Sequence, residues 1–212
     1  MVGPSSSHTA GVARIGVVAR RILGQTPNFV TIRFHGSLAK THKGHGSDKA
    51  IIAGLMGFAP DDLRIPDSFA LAKEAGMFFE FFSIELEEAH PNTVVLELGV
   101  TKNKIKTIIA ASTGGGNILV SKIDDVELRF TGLYDTLLVN HKDELGVIAH
   151  VSYILADEKI NIAELSSHRS IKGGTAIMVI EVDAMLTKSA RTRIRNMENV
   201  FSATYIRGAL SD

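Results

Sequence analysis

An α+β fold is predicted in two parts: a mixed α/β unit over residues 1–132 and a β-α-β-β-α-β unit over residues 133–212. Three observations predict it. In the C-terminal third, strand-length apolar runs and helical apolar spacing follow one another as strand, helix, strand, strand, helix, strand. The N-terminal part opens with a helical period and closes with a series of strand-like runs. A composition of 45% hydrophobic and 22% charged residues is that of a globular chain, not a disordered one.

Taken in order, Val12 to Leu23 places Val12, Ile15, Val18, Ala19, Ile22 and Leu23 at helical spacing with Arg14, Arg20 and Arg21 between them, and Gly24 can end that helix. Ahead of it, Ser5 to Thr9 reads as a loop. Phe29 to Leu38 reads as a strand, Lys40 to Gly46 as a polar loop and Asp48 to Phe58 as a helix closed by Pro60. Ser68 to Gly76 reads as a further helix. Phe78 to Glu85, Thr93 to Val100, Lys104 to Ser112 and Asn117 to Ile123 read as strands, with Gly114-Gly115-Gly116 as a turn. The boundary is placed at Thr131-Gly132. Beyond it come the strand Asp135 to His141, a helix from Leu145, the strand Asn161 to Ser170 and a hairpin turn at Lys172-Gly173-Gly174. The strand Thr175 to Val182, the helix Thr187 to Asn196 and the strand Val200 to Ile206 complete the order. That order in ~75 residues is the ferredoxin-like unit, compact enough to fold alone.

Composition narrows the function. Lys plus Arg number 23 and Asp plus Glu 23, so there is no basic excess to pair with nucleic acid or an acidic membrane. No apolar run approaches the ~20 residues of a membrane span, and the start lacks a secretory pattern, so a cytoplasmic protein is expected. With no cysteine, the chain has no disulfide, no thiolate nucleophile and no thiolate ligands for zinc or an iron–sulfur cluster.

Four segments can carry chemistry. Gly3-Pro4-Ser5-Ser6-Ser7-His8-Thr9 precedes a helix, where converging N–H groups, hydroxyls and an imidazole can cradle a carboxylate or phosphate. Ser and Thr there are equally the favoured caps. Thr41-His42-Lys43-Gly44-His45-Gly46-Ser47-Asp48, with His35-Gly36-Ser37 upstream, offers His42, His45 and Asp48 as a partial metal set. The shortage of further carboxylates favours a plain polar loop, with Ser47 and Asp48 capping the next helix. Thr113-Gly114-Gly115-Gly116-Asn117 is a turn or a point of close backbone approach, and no GK[ST] follows to make it a P-loop. Asn140-His141-Lys142-Asp143-Glu144-Leu145-Gly146 joins a strand to a helix, with Asp143 as candidate cap.

Together, GPSSSHTAG, HGS, GHGSDKA and TGGGN resemble the beta subunit of the iron–sulfur-dependent L-serine dehydratase (L-serine ammonia-lyase). NHKDELGVIAHVSYILADEKINIAEL resembles an ACT domain. The resemblance spans nearly the whole chain and rests on four motifs in order. Members of that family usually carry a short segment ahead of the first motif, which here opens at Gly3.

The resemblance implies an N-terminal domain of the small-molecule-binding type also found in some phosphoglycerate dehydrogenases, then an ACT domain. It implies conversion of L-serine to pyruvate and ammonia, with a separate alpha subunit holding a [4Fe–4S] cluster. Ser5, Ser6, Ser7 and Thr9 are then expected to bind substrate, and His8, His35, His45 and Asp48 to be catalytic candidates, with no metal held by this chain. Asn140, His141, Asp143 and Gly146 match the loop where ACT domains, which usually pair side by side, take an amino-acid effector. The alternative is a regulatory sensor of anions or amino acids attached to another enzyme, such as a phosphoglycerate dehydrogenase. A third reading is a metal-dependent hydrolase built on His42, His45 and Asp48.

Overall fold

The computed structural model describes residues 6–208. The chain divides into two compact units, residues 1–124 and 125–212. The division falls ahead of the predicted 132 because residues 126–130, assigned no element from the sequence, form a strand of the second unit.

The first unit opens on a π turn, Ser6–Ala10. Ala10 has helical dihedrals, so the turn runs straight into helix α1 (Gly11–Leu23). The predicted loop over these residues is therefore a helical turn, of a type that recurs at functional sites. Gly24 ends α1 in the left-handed region and donates its N–H to the carbonyls of Arg20 and Arg21. Strand β1 (Phe29–His35) follows. Helix α2 (Gly36–His45) then takes the place of the end of the predicted strand and of the predicted polar loop. Its glycines and histidines are poor helix formers. Tertiary contacts decide the matter: Leu38 is fully buried, and the Ser37 N–H donates to the carbonyl of Pro91 at 2.8 Å. Gly36 has φ +58°, and a side chain there would meet the Pro91 carbonyl oxygen at 2.7 Å.

Helix α3 (Ser47–Leu55) starts directly after Gly46, with no side-chain cap, so neither Ser47 nor Asp48 has the predicted capping role. A 3₁₀ turn (Ile65–Asp67) leads into α4 (Ser68–Glu74). Strands β2 (Phe78–Ile84), β3 (Thr93–Thr101), β4 (Lys104–Gly114) and β5 (Asn117–Ile123) agree with the sequence reading. They adjoin in the order β2-β1-β3-β4-β5. β1 and β2 are parallel, as the long helical crossover between them requires. The remaining pairs are antiparallel.

Alternation along β1 buries Val30, Ile32 and Phe34. The buried stripe of α1 is the predicted one and carries Val12, Ile15, Val18, Ala19 and Ile22. α1 lies backbone to backbone on α3. A Cβ on Gly16 would sit 2.5 Å from the carbonyl oxygen of Ile51, and one on Gly54 would sit 2.0 Å from that of Ala13.

The second unit contains β6 (Val126–Phe130), β7 (Asp135–Lys142), α5 (Val147–Asp157), β8 (Ile162–Arg169), β9 (Thr175–Val182), α6 (Lys188–Arg195) and β10 (Val200–Ile206). The last six reproduce the predicted β-α-β-β-α-β order. Their sheet runs β10-β7-β9-β8, antiparallel throughout. Its core joins Leu137, Val139, Met178 and Ile180 of the sheet to Val151, Leu155 and Ile194 of the helices. Two buried carboxylates sit in this unit. Glu181 accepts the N–H and hydroxyl of Thr131. Asp135 accepts the Tyr205 hydroxyl and the Gly208 N–H. Among the described residues, no helix is long and apolar enough to cross a membrane.

Two stability predictions follow from this packing. Replacing an ordinary helical glycine by alanine gains about 0.5–1 kcal/mol, and Gly44, with open space around its Cβ position, should show that gain. Gly54→Ala meets backbone 2.0 Å away, so overpacking of about 1–3 kcal/mol outweighs the gain. Thermal melts should rise for Gly44→Ala and fall for Gly54→Ala. Burial first, and the Asp135 carboxylate second, push the Tyr205 hydroxyl from 10.0 up to about 12. An elevated native value favours the folded state fully below the unfolded value and loses that advantage as pH rises through the native one. Urea midpoints should therefore drop between pH 10 and about 12, with a flatter profile in Tyr205→Phe.

Candidate active site

The π turn, the two ends of α2, the start of α3 and the β4–β5 turn meet around His8. Its Nε2 lies 3.2 Å from Asn92 Oδ1 and 3.3 Å from the Ser37 hydroxyl. Its ring stacks on His45, with centroids 4.9 Å apart at 24°. Thr9, fully buried, donates its hydroxyl to the His45 carbonyl at 3.2 Å and ties the π turn to the end of α2. Gly11 lies against Ser112: a Cβ there would be 2.0 Å from the serine hydroxyl. A Cβ on Gly116 would touch Ala10 at 3.8 Å, so the glycine turn lies beside the same helix start.

The residues expected from sequence divide accordingly. His8 and His45 are brought together, with Thr9 bracing them. Ser5 lies outside the described residues. Ser6 and Ser7 belong to the π turn, and their side chains lie outside the described residues. His35 is buried, and its Nδ1 accepts the Leu86 N–H at 3.2 Å. That nitrogen therefore holds a lone pair, and its 3.4 Å approach to the Ile84 carbonyl is not a hydrogen bond. This places His35 as a brace for the chain leaving β2. Asp48 accepts the N–H of Lys49 at 2.8 Å within the first turn of α3, where the helix dipole favours a carboxylate.

His42 stacks on Phe34, with centroids 5.1 Å apart, and on Phe81. It thus packs against an aromatic cluster while His45 faces His8. Among the described residues, no group of three or more His, Cys, Asp or Glu side chains is arranged to hold a metal ion.

Buried polar atoms normally find partners, and each exception calls for an explanation. Here the Nδ1 atoms of His42 and His45 and the hydroxyls of Ser47 and Ser112 are buried without one. In the second unit the same holds for Asn140 Oδ1 and His141 Nε2. The predicted motifs and their immediate neighbour Ser112 thus contain these unsatisfied atoms.

His141 Nδ1 donates to the Lys142 carbonyl at 2.7 Å, so in the neutral ring Nε2 holds a lone pair and, like Asn140 Oδ1, can accept. Asp143 does not cap α5, whose cap position is Gly146 with left-handed dihedrals. Its carboxylate instead accepts the Gly173 N–H at 2.9 Å and Arg169 at 3.3 Å. The Gly173 N–H first, then Arg169, lower its pKa from the usual carboxylate value.

Sequence reasoning missed Asn92, Ser112 and the part played by Ser37. Asn92 follows a proline at a strand start, a position that reads as an ordinary turn. Ser112 reads as a strand residue until the packing of Gly11 is known.

A mixed α/β unit with a histidine-centred polar cluster, followed by a ferredoxin-like unit, is the two-part organisation of an α+β chain with a C-terminal ACT-type domain. The chain belongs to the serine dehydratase beta chain family. It is 38% identical over 207 residues to the L-serine dehydratase beta chain of Peptoniphilus asaccharolyticus, covering 97% of this chain and 93% of that one. It is 38% identical over 206 residues to the probable L-serine dehydratase beta chain of Bacillus subtilis, with the same coverage. The family model for the serine dehydratase beta chain matches residues 1–77, and that for the ACT domain matches residues 136–199. D-3-phosphoglycerate dehydrogenase of B. subtilis is 24% identical over 194 residues, 91% of this chain but 37% of that protein. The likeness to D-3-phosphoglycerate dehydrogenase is thus the weaker of the two.

An orphaned buried hydroxyl costs about 1–3 kcal/mol, so removing one need not weaken the fold. Ser47→Ala and Ser112→Ala should melt at or above the wild-type temperature while lowering activity. A drop in melting temperature for both would show that these hydroxyls support the fold rather than a ligand.

Proposed function

We propose that this chain is the beta subunit of an L-serine ammonia-lyase, that it works in the cytoplasm, and that a separate cysteine-bearing alpha subunit completes the site. The observation that carries the reading is the convergence of the N-terminal motifs on His8, next to buried hydroxyls and an imidazole nitrogen without partners. The chain has no cysteine, so its residues do not fit an iron–sulfur cluster and the alpha subunit would hold it. Such a cluster, with an open coordination position, would supply Lewis acidity at the serine hydroxyl.

This chain's part is to bind and orient serine and to move its α-proton. Hydroxyls and N–H groups of the Ser5–Thr9 segment, with Ser47 and Ser112, suit the substrate carboxylate. His8, stacked on His45, is the candidate to accept the α-proton. Loss of that proton and of the β-hydroxyl as water leaves aminoacrylate, which tautomerises and takes up water to give pyruvate and ammonium. His35 and Asp48 fall back to supporting roles.

In the second unit, Asn140 Oδ1 and, in the neutral ring, His141 Nε2 are acceptors that suit the ammonium group of an amino-acid effector, with Asp143 and Gly146 shaping the loop. Pairing of two such units is the expected assembly. An effector bound there alters turnover to the extent that it binds two states of the enzyme differently.

The test is anaerobic co-expression with a cysteine-bearing partner chain and assay of pyruvate from L-serine. The pair should be active and this chain alone inactive. His8→Ala should reduce kcat by about 10²–10⁴-fold, the usual range for loss of a general base, with a smaller loss for His45→Ala. Wild-type rates in both variants would move the active site elsewhere.

A further inference from the structure

Beyond the residues named by motif, the surroundings of His8 determine which of its nitrogens does the work. Asn92 Oδ1 lies 3.2 Å from His8 Nε2. The orientation of the Asn92 amide is fixed from its other end: its Nδ2 donates to the Ser112 carbonyl at 3.5 Å. A carbonyl accepts and never donates, so the amide nitrogen must face Ser112 and the amide oxygen must face His8. The backbone of Asn92 is held as well. Its N–H donates to His90 Nδ1 at 3.1 Å, and its carbonyl accepts the Ser112 N–H at 3.1 Å. An amide oxygen that can only accept, held in place from three directions, meets His8 Nε2.

Nε2 must therefore carry the hydrogen, and in the neutral imidazole the lone pair is on Nδ1. The Ser37 hydroxyl, 3.3 Å from the same nitrogen, can donate or accept and selects neither tautomer. We infer that Asn92 is a positioning residue of this site, holding His8 as the Nε2–H tautomer and making Nδ1 the nitrogen that takes up a proton. The inference rests on the serine dehydratase reading for its catalytic consequence, but the tautomer itself is a property of this chain. An orienting neighbour of this kind matters because an imidazole in the wrong tautomer presents a hydrogen where the reaction needs a lone pair.

The experiment has two readouts. In the full chain with ¹⁵N-labelled histidine, long-range ¹H–¹⁵N spectra report which ring nitrogen of His8 is protonated, the His8 signals being assigned by their loss in His8→Gln. Wild type should show Nε2–H. Asn92→Leu, which keeps the volume and removes the acceptor, should show a mixture. Asn92→Asp, which keeps an acceptor oxygen, should restore Nε2–H. In the active two-chain enzyme, Asn92→Leu should lower kcat by about tenfold or more with KM within about threefold, and Asn92→Asp should recover most of the loss. Ser37→Ala should change the tautomer little.

Where circular dichroism shows that Asn92→Leu is unfolded, Asn92→Ser, too short to reach Nε2, takes its place with the same expected result. Nδ1–H in the wild-type chain overturns the inference, as does an acceptor-free variant that is folded and keeps both tautomer and kcat. If the wild-type pair makes no pyruvate from serine, the enzymatic reading fails, while the tautomer measurement still decides the role of Asn92.

Discussion

The close approach of α1 to α3 is the constraint on which the rest of the N-terminal unit depends. Glycine on both helices lets carbonyl and amide groups meet where a methyl group would intrude by more than an ångström. That contact fixes the height of α1 above the sheet. The start of α1 consequently rests directly on Ser112, with Gly11 at the point of contact. His8, one turn earlier, arrives between Asn92 and the end of α2. A helix displaced by the width of one methyl group would take His8 out of hydrogen-bond range of both Asn92 and Ser37, since each bond is already at 3.2–3.3 Å.

Stability is given up in the same region. The unpartnered Ser47 and Ser112 hydroxyls and His45 Nδ1 carry the desolvation cost of unmade hydrogen bonds. They sit on elements that are otherwise tightly held, so the cost does not loosen the fold. The core beneath them, Val12, Ile15, Ile32, Phe34, Ile51 and Leu55, is nearly or wholly inaccessible to water. Polar groups held on a rigid apolar base reorganise little when charge moves nearby.

Much of this was legible in the sequence. The second unit could be read almost element by element because its apolar pattern switches cleanly between periods of 2 and 3.6, and its turns carry glycine. α1 and the strands β2 to β5 were equally clear. What failed were the segments whose conformation is set from outside. Residues 36–45 contain two glycines and two histidines and read as a loop, yet Leu38 and the Pro91 carbonyl hold them as a helix. Ser6–Thr9 read as loop because nothing local announces a π turn. The strand Val126–Phe130, which moves the boundary, is too short for its alternation to stand out. At the candidate site, the motifs named His8 and His45, whose rings the structure stacks on one another. Asn92 escaped because its role lies in one long-range contact, 84 positions away along the chain.

Among the described residues, unsatisfied imidazole nitrogens occur in both units, but only the N-terminal unit adds unsatisfied hydroxyls. In the N-terminal unit the Ser47 and Ser112 hydroxyls can donate, as an oxyanion requires. In the second unit Asn140 Oδ1 accepts, as does His141 Nε2 in the neutral ring, whose hydrogen lies on Nδ1 against the Lys142 carbonyl. A zwitterionic amino acid has one end suited to each set. On the proposed reading, an amino acid is met through its carboxylate in one unit and its ammonium in the other. Two such sites do not by themselves make regulation. If binding at the second unit strengthens or weakens binding at the first, linkage requires the reverse effect to be equal in free energy. Any account of control in this subunit must satisfy that equality.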